Sequence, residues 1–246
     1  MKIIVCGKGG SGKSTVAALI ARQNAAGGER CVVVDTDVSN TGIHRILGAS
    51  PTEDLVRLFR IEDDDPGEDG GWTCETLPPE HISERDGVRL ITIGKINVSS
   101  KGCKCSVSNV ARRFIERIDV GTKGLVVVDT EAGVEHFGRG LDSLCDVVVM
   151  VVDPTFESLA LLEKIAGMTA AIQVPLALVL NKTDSATGAS LRESLGARYP
   201  ILGELPSDPV ILSAGLRGQP LPRAYAPALP LVASLGAFTA TAVLKN

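Results

Sequence analysis

Apolar residues in this chain fall mainly in short continuous runs. The clearest are "KIIVC", "CVVVD", "VRLITIG", "GLVVVDT", "DVVVMVVD" and "PLALVLN", which do not alternate with polar residues. Such runs are typical of strands buried on both faces, as in parallel sheets. Segments of helical periodicity, such as 15–26 and 158–171, separate most of them. The pattern predicts an α/β fold with a mostly parallel sheet of about seven or eight strands and helices on both faces.

Length and charge narrow the class of protein. The 246 residues are expected to form one domain, 1–246, and the net charge of −4 gives no electrostatic reason to expect nucleic acid binding. The stretch "PALPLVASLGAFTATAVL" is broken by prolines and hydroxyls, which favours a buried terminal helix over a membrane span. The first apolar run ends in a glycine-rich loop rather than forming a signal peptide. We therefore expect a cytoplasmic protein without membrane attachment.

Two further stretches have plain structural interpretations. The acidic segment "EDDDPGEDGG", residues 62–71, is interpreted as a solvated surface loop rather than a cation site. A cytoplasmic location predicts that the six cysteines are thiols. Cys6, Cys31 and Cys145 lie in or beside apolar runs and are expected to be small buried side chains.

The segment "GKGGSGKST", residues 7–15, has the phosphate-binding pattern G-x-x-x-x-G-K-[ST] between a predicted strand and a predicted helix. Its glycines let backbone N–H groups point inward, and the helix N-terminus adds partial positive charge. Lys13 is expected to reach the β- and γ-phosphates, and the Ser14 hydroxyl to bind Mg²⁺. The predicted phosphate contacts are Gly9, Gly10, Ser11, Gly12, Lys13, Ser14 and Thr15.

Three aspartates follow predicted strands, at the sheet edge where open α/β sheets bind ligands. Asp129 ends "GLVVVD", and "CVVVDTDVSN" places Asp35 and Asp37 similarly. Asp129 and Asp35 are expected to help hold Mg²⁺, and Asp37 to orient the attacking water.

These stretches resemble those of the MinD/ParA class of P-loop ATPases, which includes nitrogenase iron protein. "KGGSGKS" with Lys8 is similar to the deviant Walker A signature, "DTDVSN" to switch I and "DTEAG" to switch II. The resemblance implies a P-loop NTPase that binds ATP, ADP and Mg²⁺ and forms an ATP-dependent homodimer. It also implies that Lys8 crosses the dimer interface to the partner's phosphates, as an arginine finger does elsewhere.

The same resemblance implies a base site. Asn181 and Lys182 in "LVLNKTD" correspond to an Asn-Lys pair that reads adenine, and Pro206 and Asp208 in "ELPSD" to the segment that closes over the base. The pattern N-K-x-D, completed by Asp184, is also a guanine signature, so GTP stays an alternative.

Two cysteines stand apart in "SSKGCKCSVSNVARRFIERI". In an extended chain Cys103 and Cys105 would project to the same side, and neighbouring lysines favour thiolates. An amphipathic helix is expected after the pair. Two copies about a two-fold axis would complete a tetrahedral Cys₄ site. Incidental loop thiols and a redox pair are the alternatives.

The C-x-C pair before a helix, switch II running into "AGVEHFGRG", and a late "NK" resemble the nickel-insertion ATPases that mature carbon monoxide dehydrogenase. The resemblance implies a metallochaperone that carries Ni²⁺ or Zn²⁺ to a client metalloenzyme. Glu135, His136 and Arg139 in "GVEHFGRG" are candidates for coupling the nucleotide to the interface, and packing at a helix start is the alternative. The sequence departs from the expected pattern at Val38 and Glu131, which puts the hydrolysis rate in question. A [4Fe–4S] electron-transfer protein and a positioning ATPase are the alternative functions.

Overall fold

The computed structural model describes residues 1–39, 42–58, 74–94 and 104–243, with the side chains of 104–106 and 241–243 excepted. The described strands form one sheet. They are β1 Lys2–Gly7, β2 Cys31–Asp35, β3 Ser83–Arg85, β4 Val88–Thr92, β5 Leu125–Asp129, β6 Val147–Val152, β7 Leu176–Thr183 and β8 Ile201–Pro206.

The described α-helices alternate with most of these strands. They are α1 Lys13–Ala26, α2 Ile43–Leu47, α3 Leu55–Leu58, α4 Lys104–Arg117, α5 Phe156–Ala171, α6 Ser185–Leu195, α7 Pro209–Arg217 and α8 Leu229–Val243. Short 3₁₀ helices lie at 79–81, 137–139, 142–144 and 226–228.

The eight strands are ordered β3-β4-β2-β5-β1-β6-β7-β8, and all pair in parallel except β3, which is antiparallel to β4. Every residue of β2, β5 and β6 is buried, as expected for strands covered on both faces. The prediction of a mostly parallel sheet of about seven or eight strands flanked by helices is therefore confirmed.

Two hydrophobic clusters cover the two faces of the sheet. One contains buried side chains of α4, α5 and α6, and the other contains those of α1, α2, α7 and α8. Because parallel strands share a direction, the loops after β1, β2, β5, β7 and β8 meet at one edge. This edge carries the candidate site.

Several smaller predictions can be compared with the structure. Cys6, Cys31 and Cys145 are buried free thiols, as predicted. The apolar C-terminal stretch forms α8, which buries Leu231 and Leu235. No helix in the described ranges is long and apolar enough to cross a membrane. The acidic segment 62–71 lies outside the described residues.

Candidate functional site

The phosphate-binding loop joins β1 directly to α1. Gly7 has φ 145° and lies so close to β6 that an added Cβ would be 2.6 Å from the carbonyl oxygen of Val151. Gly12 has φ 99°, and a Cβ there would collide with Nδ2 of Asn181. Side chains larger than hydrogen are thus excluded at both ends of the loop, which leaves the backbone N–H groups accessible to an anion.

Polar side chains at the start of α1 point into this loop. Lys13 is 8% exposed, and its Nζ lies 3.4 Å from the carbonyl oxygen of Lys8. The Ser14 hydroxyl lies beside the Asp129 carboxylate and lowers the pKa of that carboxyl. Ser11 Oγ and Asp129 Oδ1 are buried without a hydrogen-bond partner among the described atoms. Buried polar atoms in this condition, beside a lysine and a serine hydroxyl, fit a phosphate and its Mg²⁺.

The strand register brings the predicted aspartates together. Asp35 and Asp129 are direct neighbours across β2 and β5. Burial raises the pKa of Asp129 to about 7, and the nearby charge of Asp35 adds to this, while Ser14 and Lys13 oppose it. Within the described ranges no cluster of three or more His, Cys, Asp or Glu side chains forms a metal centre by itself. A Mg²⁺ ion held by one or two carboxylates here would complete its coordination with nucleotide phosphates and water.

Asp37, the predicted water-orienting residue, lies in the loop that follows β2. Its Oδ1 accepts hydrogen bonds from the backbone N and hydroxyl of Ser39, at 2.9 and 2.6 Å. Its own backbone N donates to Asp35 Oδ1 at 3.1 Å. Asp37 and the first residues of α1 line the same cavity. The two aspartates are thus held in a fixed relation to each other and to the loop.

The segment after β5 is attached to the phosphate loop. Thr130 Oγ1 donates to the carbonyl oxygen of Val5 at 2.8 Å, and Gly133 N donates to that of Gly7 at 3.2 Å. The carboxylate of Glu131 lies 3.6 Å from Arg139. If nucleotide displaces the phosphate-binding loop, these hydrogen bonds would therefore move the segment after β5 with it.

His136, a candidate for coupling the nucleotide to the interface, is buried against Asp142. Its Nε2 lies 3.3 Å from Asp142 Oδ1, and both side chains are at most 3% exposed. Burial, with Arg139 and Lys13 adding to it, lowers the pKa of His136 to about 4. Burial also raises the pKa of Asp142 to about 7. The imidazole is therefore neutral at pH 7 and does not face solvent. Glu135 approaches the backbone of Gly133.

A cavity of about 550 Å³ extends from the phosphate loop toward β7, β8 and α7. Asn181 donates from Nδ2 to the Ser11 carbonyl at 2.7 Å, and Lys182 donates from Nζ to the Gly10 carbonyl at 2.6 Å. The described contacts of the predicted adenine-reading pair thus hold the loop in place. Pro206 also lines the cavity. Direct contact of these residues with a base stays a prediction.

One wall of this cavity was not identified from sequence. Asp208 caps α7 by accepting a hydrogen bond from Val210 N at 2.7 Å. The helix then presents Leu212 and Leu216 to the cavity, although they are 59% and 89% exposed. Apolar side chains that stay exposed beside a cavity are typical of ligand sites. The sequence does not show which face of α7 lines the cavity, because that depends on how the helix packs in the fold.

Asp184, the residue that completes the guanine signature, caps the N-terminus of α6. Its Oδ1 accepts hydrogen bonds from Ala186 N, Thr187 N and the Thr187 hydroxyl, which makes it the N-cap of α6. It is not among the residues that line the cavity. The structure thus gives the N-K-x-D pattern a capping role.

Lys8 lies beside the end of β6 in its own chain. Its Nζ is 3.2 Å from Asp153 Oδ2 and donates to Thr155 Oγ1 at 3.0 Å. Neither residue was identified from sequence, although the run "DVVVMVVD" ends in Asp153 at the same sheet edge as the other site aspartates. The predicted contact of Lys8 with a partner's phosphates stays a prediction.

The predicted metal ligands are only partly covered. Cys103 lies outside the described residues, and Cys105 is the second residue of α4. The helix therefore begins at Lys104, between the cysteines, and the prediction that it starts after the pair is wrong. The amphipathic pattern itself is confirmed, because one face is buried: Val107, Val110, Ala111, Phe114, Ile115 and, just past the helix, Ile118.

Known proteins resemble the chain over most of its length. Residues 2–221 match the model of the CobQ/CobB/MinD/ParA nucleotide binding domain. An ATP-binding protein of Methanocaldococcus jannaschii is 33% identical over 234 residues, covering 90% of this chain and 94% of the relative. The carbon monoxide dehydrogenase accessory protein CooC of Rhodospirillum rubrum is 29% identical over 232 residues, covering 89% and 88%.

A solved structure has the same architecture. The septum site-determining protein MinD of Pyrococcus horikoshii, in complex with Mg-ADP, superposes with a TM-score of 0.69 at 16% identity. The alignment covers 98% of each chain. At this level of identity the likeness concerns the fold.

Proposed function

Because the chain belongs to the CobQ/CobB/MinD/ParA family of nucleotide-binding domains, we propose that it is a homodimeric, Mg-dependent ATPase that delivers a metal ion to a metalloenzyme. Nickel is the proposed metal, with zinc as the alternative, and carbon monoxide dehydrogenase the proposed client. The observation that carries the ATPase is the loop of residues 7–15 beside the neighbouring Asp35 and Asp129. The identity to CooC supports the delivery role.

The nucleotide cradle suggests what each side chain does. Ser14 and Asp129 would hold Mg²⁺, which when bound neutralises phosphate charge. Among the described residues the contact of Lys13 is a long one, from Nζ to the Lys8 carbonyl, which leaves the ammonium able to turn toward the β- and γ-phosphates. Asp37, held by Ser39, would orient the attacking water. Binding of phosphate would also satisfy the buried Ser11 hydroxyl.

Adenine is the proposed base. Leu212 and Leu216 offer an apolar surface for its face. Asp184, which a guanine site would need at the base edge, is engaged as the cap of α6. Competition between ATP and GTP for a fluorescent ADP derivative tests this, and tighter binding of GTP would contradict it.

The Cys103/Cys105 pair is the proposed metal site, with two subunits supplying four thiolates. Metal content and absorption spectra of anaerobically purified protein test it, using wild type, Cys103→Ala/Cys105→Ala and the control Cys74→Ala. About one nickel or zinc per dimer is expected in wild type and control, and none in the double variant. Unchanged metal in the double variant would remove the site.

The same measurement separates the second candidate function. Four irons per dimer with broad visible absorption would instead indicate a [4Fe–4S] cluster and an ATP-dependent electron-transfer protein, because four thiolates ligate that cluster equally well. In either case the nucleotide site is unaffected.

Lys8→Ala is expected to abolish ATP-dependent dimerisation, measured by light scattering, while the monomer still binds ADP.

A further inference from the structure

The Lys8 ammonium is held by two acceptors within its own chain. Its Nζ lies 3.2 Å from Asp153 Oδ2 and 3.0 Å from Thr155 Oγ1. The Thr155 hydroxyl in turn donates to Asp153 Oδ1 at 2.7 Å, so lysine, threonine and aspartate form a closed triangle. We call this arrangement the cis contact. The cis contact thus holds Lys8 within its own subunit, whereas the proposed function requires Lys8 to reach the phosphates bound by the partner subunit.

The acceptors of the cis contact are fixed by secondary structure. Asp153 directly follows β6, which pairs with β1 through the neighbours Gly7 and Val151. Thr155 is the N-cap of α5 and accepts a hydrogen bond from Ser158 N. The backbone N of Asp153 also lies 3.2 Å from Ser158 Oγ, to which it donates. Lys8 can therefore leave this site without any movement of the acceptors.

The carboxylate of Asp153 stays ionised in this setting. Its side chain is 9% exposed, and burial alone would raise its pKa. Hydrogen bonds from Thr155, Lys8 and Ser158 outweigh burial and lower the pKa below its ordinary value. Lys8, at 28% exposure, is the charged side chain paired with it.

We propose that Asp153 and Thr155 are positioning residues that hold Lys8 inside its own subunit and thereby oppose ATP-dependent dimerisation. This inference rests on the proposed function, in which Lys8 contacts the phosphates of the partner. A lysine that reaches across the interface has to leave Asp153 and Thr155. Since the dimer is two-fold symmetric, two cis contacts are broken for each dimer formed. ATP, with one more phosphate than ADP, competes better for the released ammonium.

The size of the effect follows from the exposure of the pair. Partly exposed ion pairs typically shift an equilibrium by a factor of about 1.5 to 5, and about threefold is a central value. Loss of two such contacts then tightens the dimer by about tenfold. Asp153→Asn is the appropriate change, because the amide keeps the shape and can still accept from Thr155.

The test measures dimerisation against protein concentration by light scattering, with ATP or ADP and Mg²⁺. The proteins are wild type, Asp153→Asn, Lys8→Ala and the double variant. Glu163→Gln is the matched control, because this carboxylate lies on α5 and pairs with Arg198 at 2.9 Å, away from the loop. Asp153→Glu, which keeps the charge, is expected to stay near wild type. Binding of a fluorescent ADP derivative by the monomers reports that the variants are folded.

With ATP, Asp153→Asn is expected to dimerise at about tenfold lower concentration than wild type, with unchanged ADP affinity of the monomer. The gain is expected to disappear when Lys8 is alanine, because the double variant then lacks the lysine that dimerises. If Asp153→Asn dimerises as wild type does or more weakly, while Lys8→Ala fails to dimerise, the proposal that the cis contact opposes dimerisation is overturned and the proposed role of Lys8 is not. Normal dimerisation of Lys8→Ala would overturn the proposed role of Lys8 instead.

Discussion

The buried pair of His136 and Asp142 leads to a prediction about stability and pH. Burial holds the pKa of the imidazole down at about 4 and that of the carboxyl up at about 7. The ordinary values, which apply to the unfolded chain, are 6.5 and 3.8. Between about pH 4 and 6.5 the unfolded chain carries one proton on the histidine, and the folded chain carries one proton on the aspartic acid. The proton count is equal, so the pair contributes no pH dependence in this window.

Substituting either residue alone makes the stability of the folded state depend on pH, and the two substitutions give dependences of opposite sign. In Asp142→Asn only the histidine remains, and its depressed pKa makes the folded state lose stability as pH falls from about 6.5 to about 4. In His136→Asn only the carboxyl remains, and its raised pKa makes the folded state lose stability as pH rises from about 4 to about 7. The limits are about 3 kcal/mol for the first variant and about 4 kcal/mol for the second, at 1.36 kcal/mol per pKa unit.

Urea unfolding at pH 4.5, 5.5, 6.5 and 7.5, without nucleotide and with a chelator, measures both slopes as differences from wild type. Subtraction cancels the other titrating groups, which the proteins share. Asp119→Asn, at an exposed carboxylate that accepts from Gly121 N, controls for removal of one charge. Two variants whose differences from wild type are independent of pH, or slope in the same direction, would refute the proton exchange within the pair.

Three further predictions concern single contacts. Gly12→Ala should lose about 2 kcal/mol or more and bind nucleotide poorly, because the new Cβ meets Asn181 at a positive φ; adding Asn181→Ala should recover only the steric part in thermal unfolding. Asp184→Ala should lower the thermal unfolding midpoint through the lost cap and leave the ratio of ATP to GTP affinity unchanged, whereas a selective change in GTP affinity would indicate base contact. Lys2→Met should cost about 1 kcal/mol in urea unfolding, because Lys2 Nζ donates to the Ile115 and Glu116 carbonyls at the end of α4; an unchanged midpoint would show that the contact is dispensable.

Much of the fold was accessible from sequence because of the way parallel strands are covered. A strand buried on both faces has to be apolar throughout, so β2, β5 and β6 appear as unbroken runs. The edge strand β3, "SER", is short and largely exposed, and pairs antiparallel to β4. A polar segment of this kind has no periodicity to detect.

The part of the site that a single local segment forms, the phosphate-binding loop, was predictable from sequence. The loop around Gly12 and Lys13 follows from its own pattern, because strand, turn and helix start lie within a few residues. Contacts between segments were not accessible. The capping role of Asp184 and the pairing of Lys8 with Asp153 depend on how the chain is placed in three dimensions, and the same letters permit other roles.

The sheet order also separates the segment with the predicted metal ligands from the nucleotide cavity. β4 and β5 lie on either side of β2, so the chain between them, which carries both cysteines and α4, has to cross over the sheet whatever its sequence. Within it, the buried face of α4 and the arrival of β5 at Asp129 are constrained by packing. The residues of this crossover that the structure describes do not line the nucleotide cavity. Under the proposed function, the metal ligands Cys103 and Cys105 and the phosphate-binding loop therefore belong to separate segments of the chain, and substitution of the two cysteines is expected to leave nucleotide binding unchanged.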